Sequence, residues 1–337
     1  MPAVARGSAL RLATRGSPLA LAQARRVAGL LEATGVASSL VVVETEADQR
    51  TDVSLDRLGG QGVFVKEVQL AVLARSADAA VHSAKDLPAS ADNLLSGLVL
   101  GAFPERADPR DVLVGGGLSS LPTGSMVATG SARRRAQLGN LRPDLTFTGL
   151  RGNMATRLRA VGTGGVAAVV VAKAALDRLR WSPGDGTPVE VLDPEVMIPQ
   201  VGQGVLAVEC RADDDVTRQA LAVIDDRDIR ALVTAERAFL SELGGGCTLP
   251  VGAHASFVAA GPESTAGVDH RGPIGLTGML ASGDGLVVLR HRSLGDQPEN
   301  LGRAVARYLL EDGGGSQYVG WERPDLAGAI DEPRVEG

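Results

Sequence analysis

Apolar positions along the first two hundred residues switch repeatedly between a strand-like run and a helix-like spacing. Residues 10–14 predict a strand, and Ser17-Pro18 then offers an N-cap with proline at the first helical position. Leu19, Leu21, Val27, Leu30 and Leu31 suit a helix that stops near Gly35. Residues 40–45 are rich in β-branched side chains and predict a second strand, 65–75 a helix, and 79–83 a short buried strand. The alternation then repeats. A strand at 127–129 leads to Ser131 as the cap of a helix through 138, and a strand at 145–150 leads to Asn153 and a helix containing Arg157. A strand at 166–172 runs into a helix at about 174–180.

Strands alternating with helices predict parallel α/β sheets, and two rounds predict two similar α/β domains. After Ile229 the pattern changes to a helix at 231–243, strands at 251–258, 275–280 and 286–291, and a helix at 301–310. That is a small α+β third domain. Residues 181–188 and 261–272 read as loops, and the tail beyond about 320 as poorly ordered.

Composition narrows the class. The chain has 337 residues, 44% hydrophobic and 22% charged, which suits a soluble globular protein of two or three domains. The longest apolar run, 166–172, is far short of the ~20 residues needed to span a bilayer. The amino-terminal stretch has no apolar h-region, which predicts no secretory signal, and two separated cysteines predict a reducing, cytoplasmic compartment. A net charge of −6 argues against nucleic-acid or acidic-membrane partners. The four histidines have no metal-ligand spacing, so no metal is expected. Gly202-Gln203-Gly204 is too short for a phosphate loop.

Three features carry chemistry. Arg133, Arg134, Arg151 and Arg157 fall near strand-to-helix junctions, where open α/β sheets bind ligands and guanidinium forks take carboxylates or phosphates. Solvated helix faces with ion-pair partners are the alternative for any one of them. The segment from Val81 to Pro88 packs a hydroxyl, an ammonium and a carboxylate (Ser83, Lys85, Asp86) just after a buried strand. It serves either acid–base chemistry or a capped turn before proline. Cys247 follows three glycines, either as a thiol presented for reaction or as a small buried hydrophobe on a turn.

Together the segments RLATRGSPLALAQA, GGQGVFVKE, ADAAVHSAKDLP, RADPRDVLV, TGSARRRAQL, LRGNMATRL, VGQGVLAVECR and GGGCTLPVG resemble the hydroxymethylbilane synthase (porphobilinogen deaminase) family, in family order. The resemblance implies two doubly wound domains like those of periplasmic binding proteins, plus a smaller α+β domain carrying a cofactor cysteine. The implied boundaries are 1–104 with 202–224, then 105–201, then 225–320, with 321–337 as a tail. It implies a monomeric enzyme that condenses four porphobilinogen molecules, with loss of four ammonia, on a dipyrromethane cofactor.

Carried over by position, Cys247 would hold that cofactor by a thioether and Asp86 would be the catalytic carboxylate. Ser83, Lys85, Thr129, Ser131, Arg133, Arg134, Arg151 and Gly152 would bind cofactor, with Asp86 among them; Arg15, Ser17, Arg151, Arg157, Arg178 and Gln203 would bind substrate. The chain departs from the family pattern at Gln61, Lys173, Ala175 and Gly244. A two-lobed anion-binding module without chemistry would also suit the first two domains, and an arginine-rich nucleic-acid binder conflicts with the acidic net charge.

Overall fold

The computed structural model describes residues 9–44, 65–89, 95–184, 186–244, 250–259 and 272–317. Among these, strands fall into three sheets. The first sheet contains β1 (Leu10–Arg15), β2 (Ser38–Val43), β3 (Ala79–Ser83), β4 (Leu98–Ala102) and β10 (Leu206–Arg211), in the order β2-β1-β3-β10-β4. The second contains β5 (Asp111–Val114), β6 (Met126–Ala128), β7 (Thr146–Thr148), β8 (Val166–Ala172) and β9 (Val189–Leu192), in the order β7-β6-β8-β5-β9.

The expectation of parallel sheets needs correction. In each five-stranded sheet four strands share one direction, and the fourth in order runs antiparallel to both its neighbours. That antiparallel strand is the one reached after the chain crosses from the other sheet. The chain passes from β4 to β5 and later returns from β9 to β10. The two crossings lie side by side: Ala107 N donates to Gly204 O at 2.9 Å and Leu206 N to Glu105 O at 3.1 Å. Gly204 has φ +85°, and a Cβ there would lie 2.3 Å from Ala107 O, so only glycine lets the crossings touch.

Each sheet is covered on both faces by helices, as alternate residues require. Leu12, Val81, Leu206 and Val208 meet α1 (Pro18–Ala33) through Ala24, Val27 and Leu31. Ala13 and Ala80, on the other face, meet Val68 and Val72 of α2 (Lys66–Leu73). In the second sheet, Leu113, Val127, Ala168 and Val170 pack with Leu138 of α3 (Ala132–Leu141). Val112, Val114, Val169 and Val171 face α4 (Met154–Arg159) and α5 (Lys173–Arg178). Ser17 and Ser131 cap α1 and α3 as expected, their hydroxyls accepting from Ala20 N at 3.3 Å and Arg134 N at 3.4 Å.

The third sheet is an antiparallel meander, β11 (Val251–Phe257), β12 (Ile274–Ala281) and β13 (Val288–Gly295). It packs on α7 (Arg227–Glu242) and α8 (Pro298–Leu310). α6 (Asp215–Ala222) follows β10. α7 starts at Arg227, four residues earlier than expected, capped by Asp226, whose carboxylate accepts from Asp228 N and Ile229 N.

One buried side chain joins all three parts. The Glu236 carboxylate of α7 accepts from Arg106 Nη1 at 2.8 Å, Gly202 N at 2.8 Å and Ala255 N at 2.9 Å. A fully buried carboxylate is tolerable only with such a set of donors. No helix among the described residues is long and apolar enough to cross a membrane.

Candidate active site

The carboxyl ends of β1 and β3 open onto a cleft whose opposite wall is the β8–α5 junction of the second sheet. Six of the expected site residues line it: Arg15, Ser17, Ser83, Lys85, Asp86 and Arg178. Strand β3 delivers three of them. It is buried along its whole length and ends in a single turn of 3₁₀ helix (Ala84–Asp86), which Leu87 closes by donating its N–H to Ala84 O at 3.3 Å. Gly202, at φ +72°, lies under this turn; a Cβ there would come within 3.1 Å of Lys85 N.

The cleft is cationic, with Arg15, Lys85 and Arg178 against the exposed carboxylate of Asp86. Burial of the Lys85 ammonium, opposed by the charge of Asp86, lowers its pKa to about 8. Arg178 Nη2 donates to Gly204 O at 2.6 Å, while its buried Nε has no hydrogen-bond partner among the described residues. Arg157 is linked to the same place: burial and Arg134 weaken its hold on its proton, and Asp86 opposes them. Its Nε donates to Gly152 O at 2.9 Å, where Gly152 adopts φ +89°. Arg151 is exposed at the same β7–α4 junction.

Four expected residues turn inward instead. Arg133 and Arg134 are buried on Asp111 of β5, Arg133 Nη2 at 2.7 Å from Oδ2 and Arg134 Nη2 at 2.7 Å from Oδ1. Their remaining forks reach Ile198 O and Val170 O at 2.6 and 2.9 Å. Gln203, fully buried, donates to Asp111 Oδ1 at 3.0 Å and Pro109 O at 2.7 Å. Thr129 is buried too, its Oγ1 accepting from Ser131 N at 3.3 Å.

Asp111 was missed by the sequence reading, although RADPRDVLV contains it. The available signal was a charge heading an otherwise apolar buried run, which requires a partner. Burial raises its pKa, but the charges of Arg133 and Arg134 and the donors Arg134 and Gln203 outweigh this, leaving it well below the usual carboxylate range. Asp111→Asn is therefore expected to cost roughly 3–5 kcal/mol by leaving two guanidiniums uncompensated. Urea unfolding should show the deficit in full above pH ~4, where the unfolded carboxylate is ionised, and a smaller one as pH falls through the lower folded pKa.

Of the two cysteines, Cys210 lies fully buried in β10, and burial pushes its thiol up to about 11. Cys247 and Gln61 lie outside the described residues. Gly244 follows α7 at φ +80°, its N–H donating to Ser241 O at 3.0 Å. An acidic side chain would be strained there, which gives this departure from the family pattern a local reason. Lys173 pairs with Asp177 one turn along α5, and Ala175 is buried on the same helix at the cleft.

The family model described as porphobilinogen deaminase, dipyromethane cofactor binding domain, matches residues 10–219. The model of the porphobilinogen deaminase C-terminal domain matches residues 231–311. The porphobilinogen deaminase of Syntrophobacter fumaroxidans is 42% identical over 311 residues, covering 90% of this chain and 95% of its own. That of Acidothermus cellulolyticus is 44% identical over 315 residues, covering 91% and 90%. Among solved structures, the methionine binding protein MetQ overlays 66% of this chain and 91% of its own at 12% identity, with a TM-score of 0.41, too distant to bear on the site. Two matched family models and relatives alike over nine-tenths of their length leave one reading of the cationic cleft: the chain belongs to the porphobilinogen deaminase family.

Proposed function

We propose that Cys247 tethers the dipyrromethane cofactor, that Asp86 is the catalytic carboxylate, and that Arg15, Ser17, Ser83, Lys85, Arg157 and Arg178 bind the carboxylates of cofactor and substrate. The reaction is the family's: head-to-tail condensation of four porphobilinogen molecules into hydroxymethylbilane with release of four ammonia, primed by a dipyrromethane cofactor. The observation that carries the residue roles is the convergence of Asp86 with three cations and two hydroxyls in one cleft.

The cleft fits the cofactor's chemistry. A polycarboxylate suits a wall with excess positive charge, and the orphaned Arg178 Nε is a donor in want of an acceptor. When bound, the dipyrromethane supplies the pyrrole carbon to which the first substrate adds. Porphobilinogen must lose ammonia from its aminomethyl group, leaving an electrophilic azafulvene whose positive charge spreads over the pyrrole. Asp86, the one carboxylate lining the cleft among the described residues, opposes that charge and accepts a pyrrole N–H. The arginines and Lys85 hold the acetate and propionate groups and fix the ring's approach to Asp86.

In this proposal Arg151, Gly152 and Ser131 form the second cofactor wall, and Arg133, Arg134, Thr129 and Gln203, turned inward around Asp111, support that wall from behind. We read residues 1–104 with 202–224, 105–201 and 225–320 as three domains, followed by a tail at 321–337. The protein acts as a cytoplasmic monomer and binds no nucleic acid, a reading supported by the net charge of −6 and by arginines committed inward.

Lys85 offers a direct test. Its ammonium is charged below a pKa of about 8 and neutral above it, so kcat/KM for porphobilinogen should fall about tenfold per pH unit on the alkaline side. Lys85→Arg keeps its charge and should carry that limb above pH ~10. A limb unmoved in Lys85→Arg would remove Lys85 from carboxylate binding.

A further inference from the structure

We propose that Arg237 is a positioning residue that straps the helix leading to Cys247 onto the turn carrying Asp86, an assignment that rests on the roles given to those two residues above. Arg237 lies on α7, whose last residue, Glu242, stands five positions before Cys247. Its guanidinium crosses from the third part of the molecule to the first, where Nη2 donates to Pro88 O at 2.6 Å and to Ala89 O at 3.4 Å. Those carbonyls end the turn on which Asp86 sits. One helical turn earlier, Val233 packs in the same buried cluster as Leu87, so two residues on one stripe of α7 face this turn.

The other end of the turn is held independently. Ala84 N donates to Val205 O at 3.0 Å and Gln200 Nε2 to Lys85 O at 3.3 Å. Just before it, His82 lies 3.0 Å from the buried Glu209 carboxylate, which also accepts from Gln69 Nε2 at 2.9 Å. Glu209 is also the charge that opposes the loss of proton affinity burial imposes on Arg237. The strap joins two segments 149 residues apart in sequence. A long side chain with a charged donor at its tip suits this task, because one nitrogen reaches both carbonyls. Misplacement of a reacting group by about 1 Å costs on the order of 10²-fold in rate, so a strap between tether and carboxylate has catalytic consequence.

The test compares Arg237→Met, Arg237→Gln and Arg237→Lys with wild type as holoprotein, by hydrogen–deuterium exchange, intact mass, Tm and steady-state kinetics. Without the strap, peptides spanning 84–89 and 234–244 should both exchange faster, and kcat should fall at least about tenfold with KM held within about twofold. Arg237→Lys should recover most of both effects at unchanged Tm. Faster exchange in only one peptide, or a kcat loss that tracks lowered Tm across the three variants, would overturn the proposal. Cofactor mass found on another residue would refute the tether, while the exchange result would still report whether Arg237 couples the two segments.

Discussion

Cys247→Ser is expected to give a purified chain with the mass of its sequence alone and no measurable tetrapyrrole synthesis, whereas Cys210→Ala keeps both the added mass and the activity. The chain has only these two cysteines. The attacking species at sulfur is the thiolate, and Cys210, fully buried with its pKa pushed up to about 11, is almost entirely thiol at neutral pH and out of reach of any ligand. Cys247 instead follows a helix that closes on Gly244 at φ +80° and is joined through Arg237 to the Asp86 turn. A serine hydroxyl is far less acidic and far less nucleophilic than a thiol, so the replacement removes the attachment while changing one atom. Cys210→Ala removes only a small buried sulfur, at a cost of about 1–2 kcal/mol. Cofactor mass on the Cys247→Ser chain, or its absence from wild-type protein that turns over, would refute the tether.

Much of this architecture was legible where local chemistry and tertiary environment agree. Ser17 and Ser131 announce helix starts, and the structure uses both hydroxyls as caps. The run at 79–83 is apolar enough to read as a buried strand, and Pro88 marks the end of the turn after it. Strand β10 was illegible for the opposite reason. Glu209 and Arg211 interrupt its apolar pattern, yet all six residues are buried. Asp214, three residues on, takes one end of Arg211, but the partners that let these charges be buried come from far along the chain: Gln69 and His82 for Glu209, and the carbonyls of Val72 and Ala77 for Arg211. No short window of sequence contains those distant partners, so none predicts the strand or its antiparallel pairing with β3.

The site shows the same division. That Arg133 and Arg134 are special could be read from their clustering at a strand-to-helix junction. That they turn inward could not, because Asp111 lies 22 and 23 residues away on a strand recognised only as part of a motif. Asp111 and Gln203 gain meaning only when the two crossings come together. Arg237 was invisible in sequence, being one more charged residue on an amphipathic helix.

Asp86→Asn is expected to lower kcat by about 10³ while leaving Tm unchanged. The carboxylate is exposed, so its replacement by an isosteric amide disturbs no packing and should change stability by less than about 0.5 kcal/mol. Its charge is another matter. A unit charge about 4 Å from a developing cation is worth about 4 kcal/mol at an effective dielectric near 20, which corresponds to roughly 10³ in rate. The amide keeps a hydrogen-bonding oxygen but loses this field. Asp86→Glu keeps the charge and misplaces it by a methylene, so it should lose about 10²-fold, between wild type and Asp86→Asn. A second readout is independent of the chemical step. Asp86 is the largest influence holding up the pKa of Lys85 against burial, so removing its charge should move the alkaline limb of kcat/KM below pH 8. Retention of kcat within fivefold in Asp86→Asn would take the catalytic role from Asp86. A lost kcat with an unmoved limb would instead separate Asp86 from Lys85 and divide the cleft into two electrostatically independent halves.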